Sequence, residues 1–361
     1  MAQPTTLRNL INELVIQNAL PPEATEQITK TLTLSAETMS IPWFINMLIG
    51  ISAWLAVIPL LGFLFFIQLT DTANSAMGVG IIFMLGTLFF KHFYKEDTLF
   101  LAQLALALNL TGQFLFIGGL SVQTETWIVA LTTSILEFCL FSFYQSSIIR
   151  FTAVLIFIAS LTLLLNEWHF YQGVHIIILA IATGSIWCWL DESQHQTNEI
   201  MVKLYSPLGY ALVIALFIML LPATFLVETA AILGISSITW SWSTVGLVML
   251  LLSLEYTLLH SHHFSFISAN SIILLGGTIF ISLLFYQTPG IIAAAIVMIL
   301  GFQRGNRVLM GGAILFFTLF LVAYYYHLEL NLLMKSIALT SSGLALLGLR
   351  WILKQLPQEI N

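Results

Sequence analysis

Residues 42–67 read PWFINMLIGISAWLAVIPLLGFLFFI, a stretch of 26 residues without a charged side chain. A helix of this length rises about 39 Å, which exceeds the roughly 30 Å of hydrocarbon in a bilayer. Only helices and closed barrels satisfy their backbone groups in lipid, and a barrel strand would alternate apolar with polar residues. Because the apolar residues here run on without alternating, the stretch predicts a transmembrane helix.

Apolar runs of similar length recur along the rest of the chain. Hydrophobic residues make up 59% and charged residues 8% of the sequence, far less charge than a soluble domain carries. We therefore predict an all-α, polytopic membrane protein in which residues 41–361 form a bundle of about twelve transmembrane helices. The two longest loops between predicted spans are 191–207 and 227–241, and the others are short. The predicted spans are 42–67, 75–91, 98–119, 127–145, 149–165, 173–190, 208–226, 242–259, 266–286, 289–303, 308–326 and 332–353.

The basic residues predict the orientation of this bundle. Lysines and arginines in short loops stay in the cytoplasm, and ten of the eleven fall on one side when the N-terminus is placed there. Both termini are therefore predicted to be cytoplasmic. Span 289–303 is short, and a re-entrant segment is the alternative, but removing it would move two arginines to the outside. The ten residues are Arg8, Lys30, Lys91, Lys95, Arg150, Lys203, Arg304, Arg307, Arg350 and Lys354.

Residues 1–40 form the one sizeable polar segment, and Pro21 and Pro22 interrupt its helical periodicity. The pattern predicts a cytoplasmic amphipathic helical hairpin at the membrane surface. This hairpin would either cap the bundle and stabilise it or bind a partner. The net charge of −6 and the lack of a basic patch argue against nucleic acid as that partner. The apolar positions of the first helix are Leu7, Leu10, Ile11, Leu14 and Val15.

Glu137 is the most informative single side chain, because it lies near the middle of span 127–145 among apolar neighbours. A charge at the centre of a membrane helix costs about 2.5–3.5 kcal/mol on insertion scales. Glu137 therefore needs a neutral form or a polar partner. One interpretation is a proton carrier or substrate contact in a cavity, and the other is a hydrogen-bonded carboxyl that holds helices together.

Lys335 is the one basic residue on the predicted outer side, where it enters the last span. It would either extend outward to the interface or pair with Glu329 or Glu137. Tyr326 and Glu329 lie just outside the preceding span, so we take both as candidates for an outer-face site.

Glu255 lies about one turn from the cytoplasmic end of span 242–259 and is a further candidate for an intramembrane polar site. His260, His262 and His263 follow it. Histidines beside a carboxylate can bind a transition metal, but no cysteine completes a ligand set here. We interpret the cluster as a polar rim at the interface and predict no metal site.

The segment GFQRGNR at 301–307 predicts a tight cytoplasmic turn with two arginines, Arg304 and Arg307. These arginines would either hold lipid phosphates or fix the topology. Small residues in several spans indicate close packing of helices. The glycines in question are Gly276, Gly277, Gly311, Gly312, Gly343 and Gly348.

Three C-terminal stretches resemble one known family: GFQRGNRVLMG at 301–311, YYYHLELNLLMKS at 324–336 and GLALLGLRW at 343–351. They are similar to bacterial inner-membrane proteins grouped as domain-of-unknown-function family 4401. The resemblance implies a multi-pass protein of the bacterial inner membrane. It also implies a possible partner, a small membrane-anchored protein with a GDYXXLXY motif. It supplies no catalytic residues.

No phosphate-binding loop, nucleotide fingerprint, Ser-His-Asp order or zinc-protease signature occurs in the sequence. We therefore expect no enzyme activity and no cofactor. The favoured function is a secondary transporter or exporter of small molecules, because many such proteins bind their substrate near the membrane midplane. The alternative is a membrane scaffold or assembly factor for a partner membrane protein.

Overall fold

The computed structural model describes residues 43–93, 99–144, 146–191, 199–225, 239–261 and 269–327, with isolated positions between 333 and 348. Every regular element in this part of the chain is a helix, and none is a strand. The predicted all-α class is therefore confirmed. The hairpin predicted for 1–40, like Glu329 and Lys335, lies outside the described residues.

Each of the first eleven predicted spans coincides with a described helix, whereas most of 332–353 lies outside the described residues. In chain order the helices are α1 (Trp43–Phe66), α2 (Ala73–Phe93), α3 (Leu99–Gln123), α4 (Thr126–Phe143), α5 (Ser147–Glu167), α6 (Val174–Asp191, after a 3-10 turn at Tyr171–Gly173), α7 (Glu199–Leu220), α8 (Pro222–Phe225), α9 (Ser241–Ser261), α10 (Ala269–Leu284), α11 (Pro289–Gln303) and α12 (Arg307–His327).

Helix α7 departs most from the prediction. It begins at Glu199 and continues through Pro207, so the loop predicted for 191–207 is wrong from Glu199 onward. A proline removes one backbone hydrogen bond, but neighbouring groups in a membrane bundle can compensate for that loss. The helix ends at Leu220, directly before the short helix α8 at Pro222.

Within the described part of the chain, six helices are long and apolar enough to cross a membrane. They carry large apolar side chains on their outer surface; Ile135 and Phe138 on α4, for example, are 58% and 63% exposed. Such a surface suits contact with lipid. The six segments are Phe100–Gln123, Thr126–Phe143, Ser147–Glu167, Tyr171–Leu190, Ser241–Ser261 and Arg307–Tyr326.

The chain divides into two compact units, Met1–Val122 and Gln123–Asn361. In the first, α2 packs closely on α3 at Gly80 and Gly112. A Cβ atom on Gly80 would lie 2.5 Å from the carbonyl oxygen of Gly112, so only glycine permits this approach.

The glycines for which the sequence predicted close packing behave differently. A Cβ atom on Gly276, Gly311, Gly312, Gly343 or Gly348 would meet no described atom within 4 Å. The prediction of close packing is therefore wrong for Gly276, Gly311 and Gly312; for Gly343 and Gly348 it stays a prediction, because most of the residues around them lie outside the described part of the chain. The sequence shows that a residue is small, but it does not show which face of the helix meets a neighbour.

The core of the second unit surrounds α11. Ten of its fifteen residues are buried, and it contacts α6, α7, α9 and α12. At its start, Gly290 lies so close to the Phe320 ring that a Cβ atom would be 2.6 Å away. Phe217 on α7 stacks on Phe316 of α12 with ring centroids 4.2 Å apart. This short helix is thus enclosed mainly by protein.

Candidate functional site

The buried face of α4 carries three polar side chains in the second unit. Thr133, Ser134 and Glu137 recur at helical spacing among the buried residues of this helix, and α4 packs extensively against α5. The opposite face is the exposed apolar surface that includes Ile135 and Phe138. Helix α4 therefore has an exposed face that is apolar and a buried face that is partly polar.

A serine pair joins these two helices. The hydroxyl oxygens of Ser134 and Ser160 are 2.8 Å apart. Each hydroxyl also lies within 2.9 Å of a carbonyl oxygen of its own helix, at Ala130 and Phe157. Two hydroxyl hydrogens cannot serve three contacts at once. One serine must therefore leave its backbone acceptor whenever the serine pair is hydrogen-bonded.

Glu137 lies one turn beyond Ser134 and is completely buried, at 0% exposure. Neither oxygen of its carboxyl group has a hydrogen-bond partner among the described residues. Burial of an ionised carboxylate without a partner is expensive. The sequence left two interpretations of Glu137 open, a proton carrier or substrate contact and a hydrogen-bonded carboxyl that holds helices together. The described contacts do not support the second.

Arg150 lies at the start of α5, near the end of α4 rather than its middle. Its Nε donates to the carbonyl oxygen of Phe141 at 3.3 Å, and the guanidinium lies 6.0 Å from the Phe141 ring centroid. A cation suits the C-terminal end of a helix, where carbonyl groups lack partners. The sequence indicated only a topological role for Arg150, whereas the structure adds a contact that closes the hairpin of α4 and α5.

Glu255 on α9 is buried and has one recorded partner. The Thr278 hydroxyl on α10 donates to its Oε1 at 2.7 Å, while Oε2 has no partner among the described residues. Tyr256 and His260 are exposed and stack with centroids 6.4 Å apart. No group of three or more histidine, cysteine or acidic residues that could hold a metal occurs among the described residues.

A buried histidine that the sequence analysis missed links α6 to α9. The Nδ1 atom of His175 lies 2.6 Å from the Ser243 hydroxyl, and its Nε2 lies 2.9 Å from Oε1 of Gln172. Because an amide oxygen only accepts, Nε2 carries a hydrogen, and a neutral ring then accepts at Nδ1 from Ser243. The Trp240 ring meets the imidazole ring edge-on, with the two ring centroids 6.1 Å apart. The partners are 68 residues apart in sequence, so no local pattern could have paired them.

The remaining predicted site residues are not brought together with Glu137 in the described structure. Tyr326 is 74% exposed at the end of α12, in edge contact with Tyr325. The pairing of Lys335 with Glu329 or Glu137 stays a prediction, because neither Lys335 nor Glu329 is among the described residues. The two arginines of the 301–307 turn lie at the junction of α11 and α12.

Comparison with known proteins gives one match. The sequence model of a family described as Domain of unknown function (DUF4401) matches residues 42–356. No curated protein and no solved structure matches the chain. The matched range includes all the described helices and every site residue discussed above.

Proposed function

Since the chain belongs to the DUF4401 family, whose description names no activity, we propose from its own geometry that it is a secondary transporter or exporter of small molecules in a bacterial inner membrane. The observation that carries this proposal is the carboxyl group of Glu137, which is fully buried and has no described hydrogen-bond partner. An intramembrane ionisable residue of this kind suits a proton relay or a substrate site.

The proposed topology has twelve spans with both termini in the cytoplasm. Helices at each of the first eleven predicted spans support it, as does the one-sided distribution of ten of the eleven basic residues. In this topology α4 runs from the outer surface inward, and Glu137 lies near the membrane midplane. Transporters commonly place their binding sites at this depth.

The chemistry of the site restricts what it would bind. A carboxylate only accepts hydrogen bonds. The Ser134 and Ser160 hydroxyls have two hydrogens for their three hydrogen-bonding contacts, so they have no further hydrogen to donate. Such a site suits a proton, or a solute that brings a cationic or hydrogen-bond-donating group. We therefore propose that Glu137 exchanges a proton for the solute or binds the solute directly.

Access to Glu137 requires movement, because its side chain is enclosed. The α4–α5 interface is the proposed moving element. Its serine pair has two hydrogen-bonding arrangements available, since two hydrogens are distributed over three contacts. If α4 and α5 separate, each hydroxyl can still donate to the carbonyl oxygen of its own helix, so the interface can open without leaving either serine unpaired, which suits a moving element in alternating access.

The test uses the full chain reconstituted in liposomes that enclose a pH-sensitive dye. Solutes from several classes, including amines, amino acids and organic acids, are applied with and without a proton gradient. We expect at least one cationic or donor-bearing solute to produce a proton flux that Glu137→Gln abolishes and Glu137→Asp retains in part.

Glu167→Gln is the matched control, because it makes the same chemical change at an exposed position on α5. It should transport like the wild type. Equal flux through the Glu137→Gln and wild-type proteins would exclude a role for this carboxyl. If no solute produced a flux and the protein co-purified with a membrane partner, the scaffold alternative would replace the transporter.

A further inference from the structure

The turn between α11 and α12 is built by three residues of the GFQRGNR segment. Gly305 has a φ of +59°, a conformation that favours glycine. Its N–H donates to the carbonyl oxygen of Phe302, and the Asn306 N–H donates to that of Gly301. These two bonds form a Schellman motif that ends α11. Gly301 also permits close approach to the backbone of Met310, since a Cβ atom would lie 2.9 Å from its nitrogen.

Asn306 has a second role at the start of α12. Its Oδ1 accepts hydrogen bonds from the N–H groups of Val308 and Leu309, each at 3.1 Å, and so caps the helix. Its Nδ2 donates to the Tyr210 hydroxyl on α7 at 2.6 Å. The fold thus accounts for Gly301, Gly305 and Asn306.

The two arginines of the segment are not explained by the fold. Neither Arg304 nor Arg307 has a side-chain hydrogen bond or ion pair among the described residues, and the Nε of Arg304 is buried without an acceptor. A buried charged donor without an acceptor is costly. The arrangement therefore calls for an acceptor, and none occurs among the described residues.

The surroundings of the arginine pair indicate the chemistry of that acceptor. Phe302 and Val308 flank the pair and are 79% and 71% exposed. Two arginines on one tight turn, with exposed apolar residues beside them in the sequence, suit a ligand with an anionic head and an apolar body. Arginine binds phosphate oxygens through parallel N–H donors, and basic groups at a membrane surface attract anionic lipid headgroups.

We infer that Arg304 and Arg307 form a binding site for a phosphate group, with Arg304 as the partly buried donor and Arg307 as the exposed one. The phosphate belongs either to an anionic lipid headgroup or to a free phosphate, and the exposed Phe302 and Val308 favour the lipid. This inference rests on the contacts of the turn and is independent of transport.

The test uses the full chain in nanodiscs of phosphatidylcholine, with or without phosphatidylglycerol. Native mass spectrometry then counts the lipids that stay bound after release from the disc. We expect the wild type to retain phosphatidylglycerol and Arg304→Gln to lower this retention about tenfold, as for the loss of a charge-assisted hydrogen bond. Arg304→Lys should be intermediate, because lysine keeps the charge but lacks the planar fork.

Lys203→Gln on α7 is the matched control, since it removes one positive charge elsewhere on the same predicted side. It should retain phosphatidylglycerol like the wild type. In a second arm, inorganic phosphate is added to the lipid-depleted protein. A rise in Tm that Arg304→Gln abolishes would identify free phosphate as the ligand.

If Arg304→Gln fails to fold, Arg307→Gln carries the test, because Arg307 is exposed and its replacement leaves the turn intact. We expect it to weaken phosphatidylglycerol retention as well. Retention equal to the Lys203→Gln control in both arginine variants, with no arginine-dependent effect of phosphate, would overturn the inference and leave the arginines a topological role.

Discussion

The imidazole Nδ1 of His175 and the hydroxyl oxygen of Ser243 lie 2.6 Å apart, although 68 residues separate them in sequence. This contact joins the first turn of α6 to the first turn of α9. Both side chains are buried, and the second ring nitrogen is bonded to Gln172. The histidine is thus held at both nitrogens between two helices.

The replacement Ser243→Ala should destabilise the protein by about 1 kcal/mol, because it leaves Nδ1 of His175 buried without a partner. A lower Tm in detergent would measure this loss. Ser253→Ala is the control on the same helix, since the Ser253 side chain is exposed and, among the described residues, its hydroxyl donates to the Leu250 carbonyl oxygen alone. Equal Tm values for the two variants would contradict a stabilising role for the His175–Ser243 contact.

The replacement Gly80→Ala should destabilise the first unit, because the new methyl group would lie 2.5 Å from the Gly112 carbonyl oxygen. Overpacking of this kind costs about 1–3 kcal/mol. Gly78→Ala on the same helix should be tolerated, since no described atom lies within 4 Å of its Cβ position. Thermal unfolding of the two variants distinguishes them, and equal tolerance would contradict the close approach of α2 and α3.

Two further glycine replacements should change stability in opposite directions. Gly305→Ala forces a side chain into a positive φ and should cost about 1–2 kcal/mol. Gly311→Ala lies inside α12 with open space at its Cβ position and should stabilise the helix by up to about 1 kcal/mol. A lower Tm for the first and a higher Tm for the second is the expected result. A shift of the same sign in both would contradict the turn geometry described.

Replacement of Glu137 or Glu255 by leucine should have different effects on thermal stability, because the two buried carboxyl groups differ in their hydrogen bonding. Glu137→Leu removes a group without a described partner and should leave Tm unchanged or raise it while abolishing transport. Glu255→Leu removes the acceptor of the Thr278 hydroxyl and should lower Tm. If Glu137→Leu were the more destabilising change, Glu137 would be a structural residue and not a binding one.

The sequence was sufficient to locate the helices, because continuous apolar runs of sufficient length have few other structural solutions in lipid. It also drew attention to Glu137, since a charge amid apolar residues is visible without any structure. It misplaced the start of α7, because the predicted span followed the apolar run from residue 208, whereas the helix extends back to Glu199.

Other features depend on which helix faces lie together, and a single sequence does not contain that information. Gly80 and Gly112 meet across helices, whereas Gly311 and Gly312 face open space, yet all four look alike in sequence. His175 was overlooked for the same reason, since Ser243 belongs to a distant helix. In a membrane bundle nearly every face is apolar, so hydrophobic periodicity does not show which one is buried.

Asn306 takes part both in the C-terminal motif of α11 and in the N-terminal cap of α12, so no linker residue separates the motif from the cap. Each residue added to or removed from this interval would turn α12 by about 100° about its axis. A single inserted residue would turn Leu315, now exposed, toward the interior and Phe320 away from it. The length of this connection is therefore as strictly constrained as its composition, and insertions here should be far less tolerated than point substitutions at Arg307.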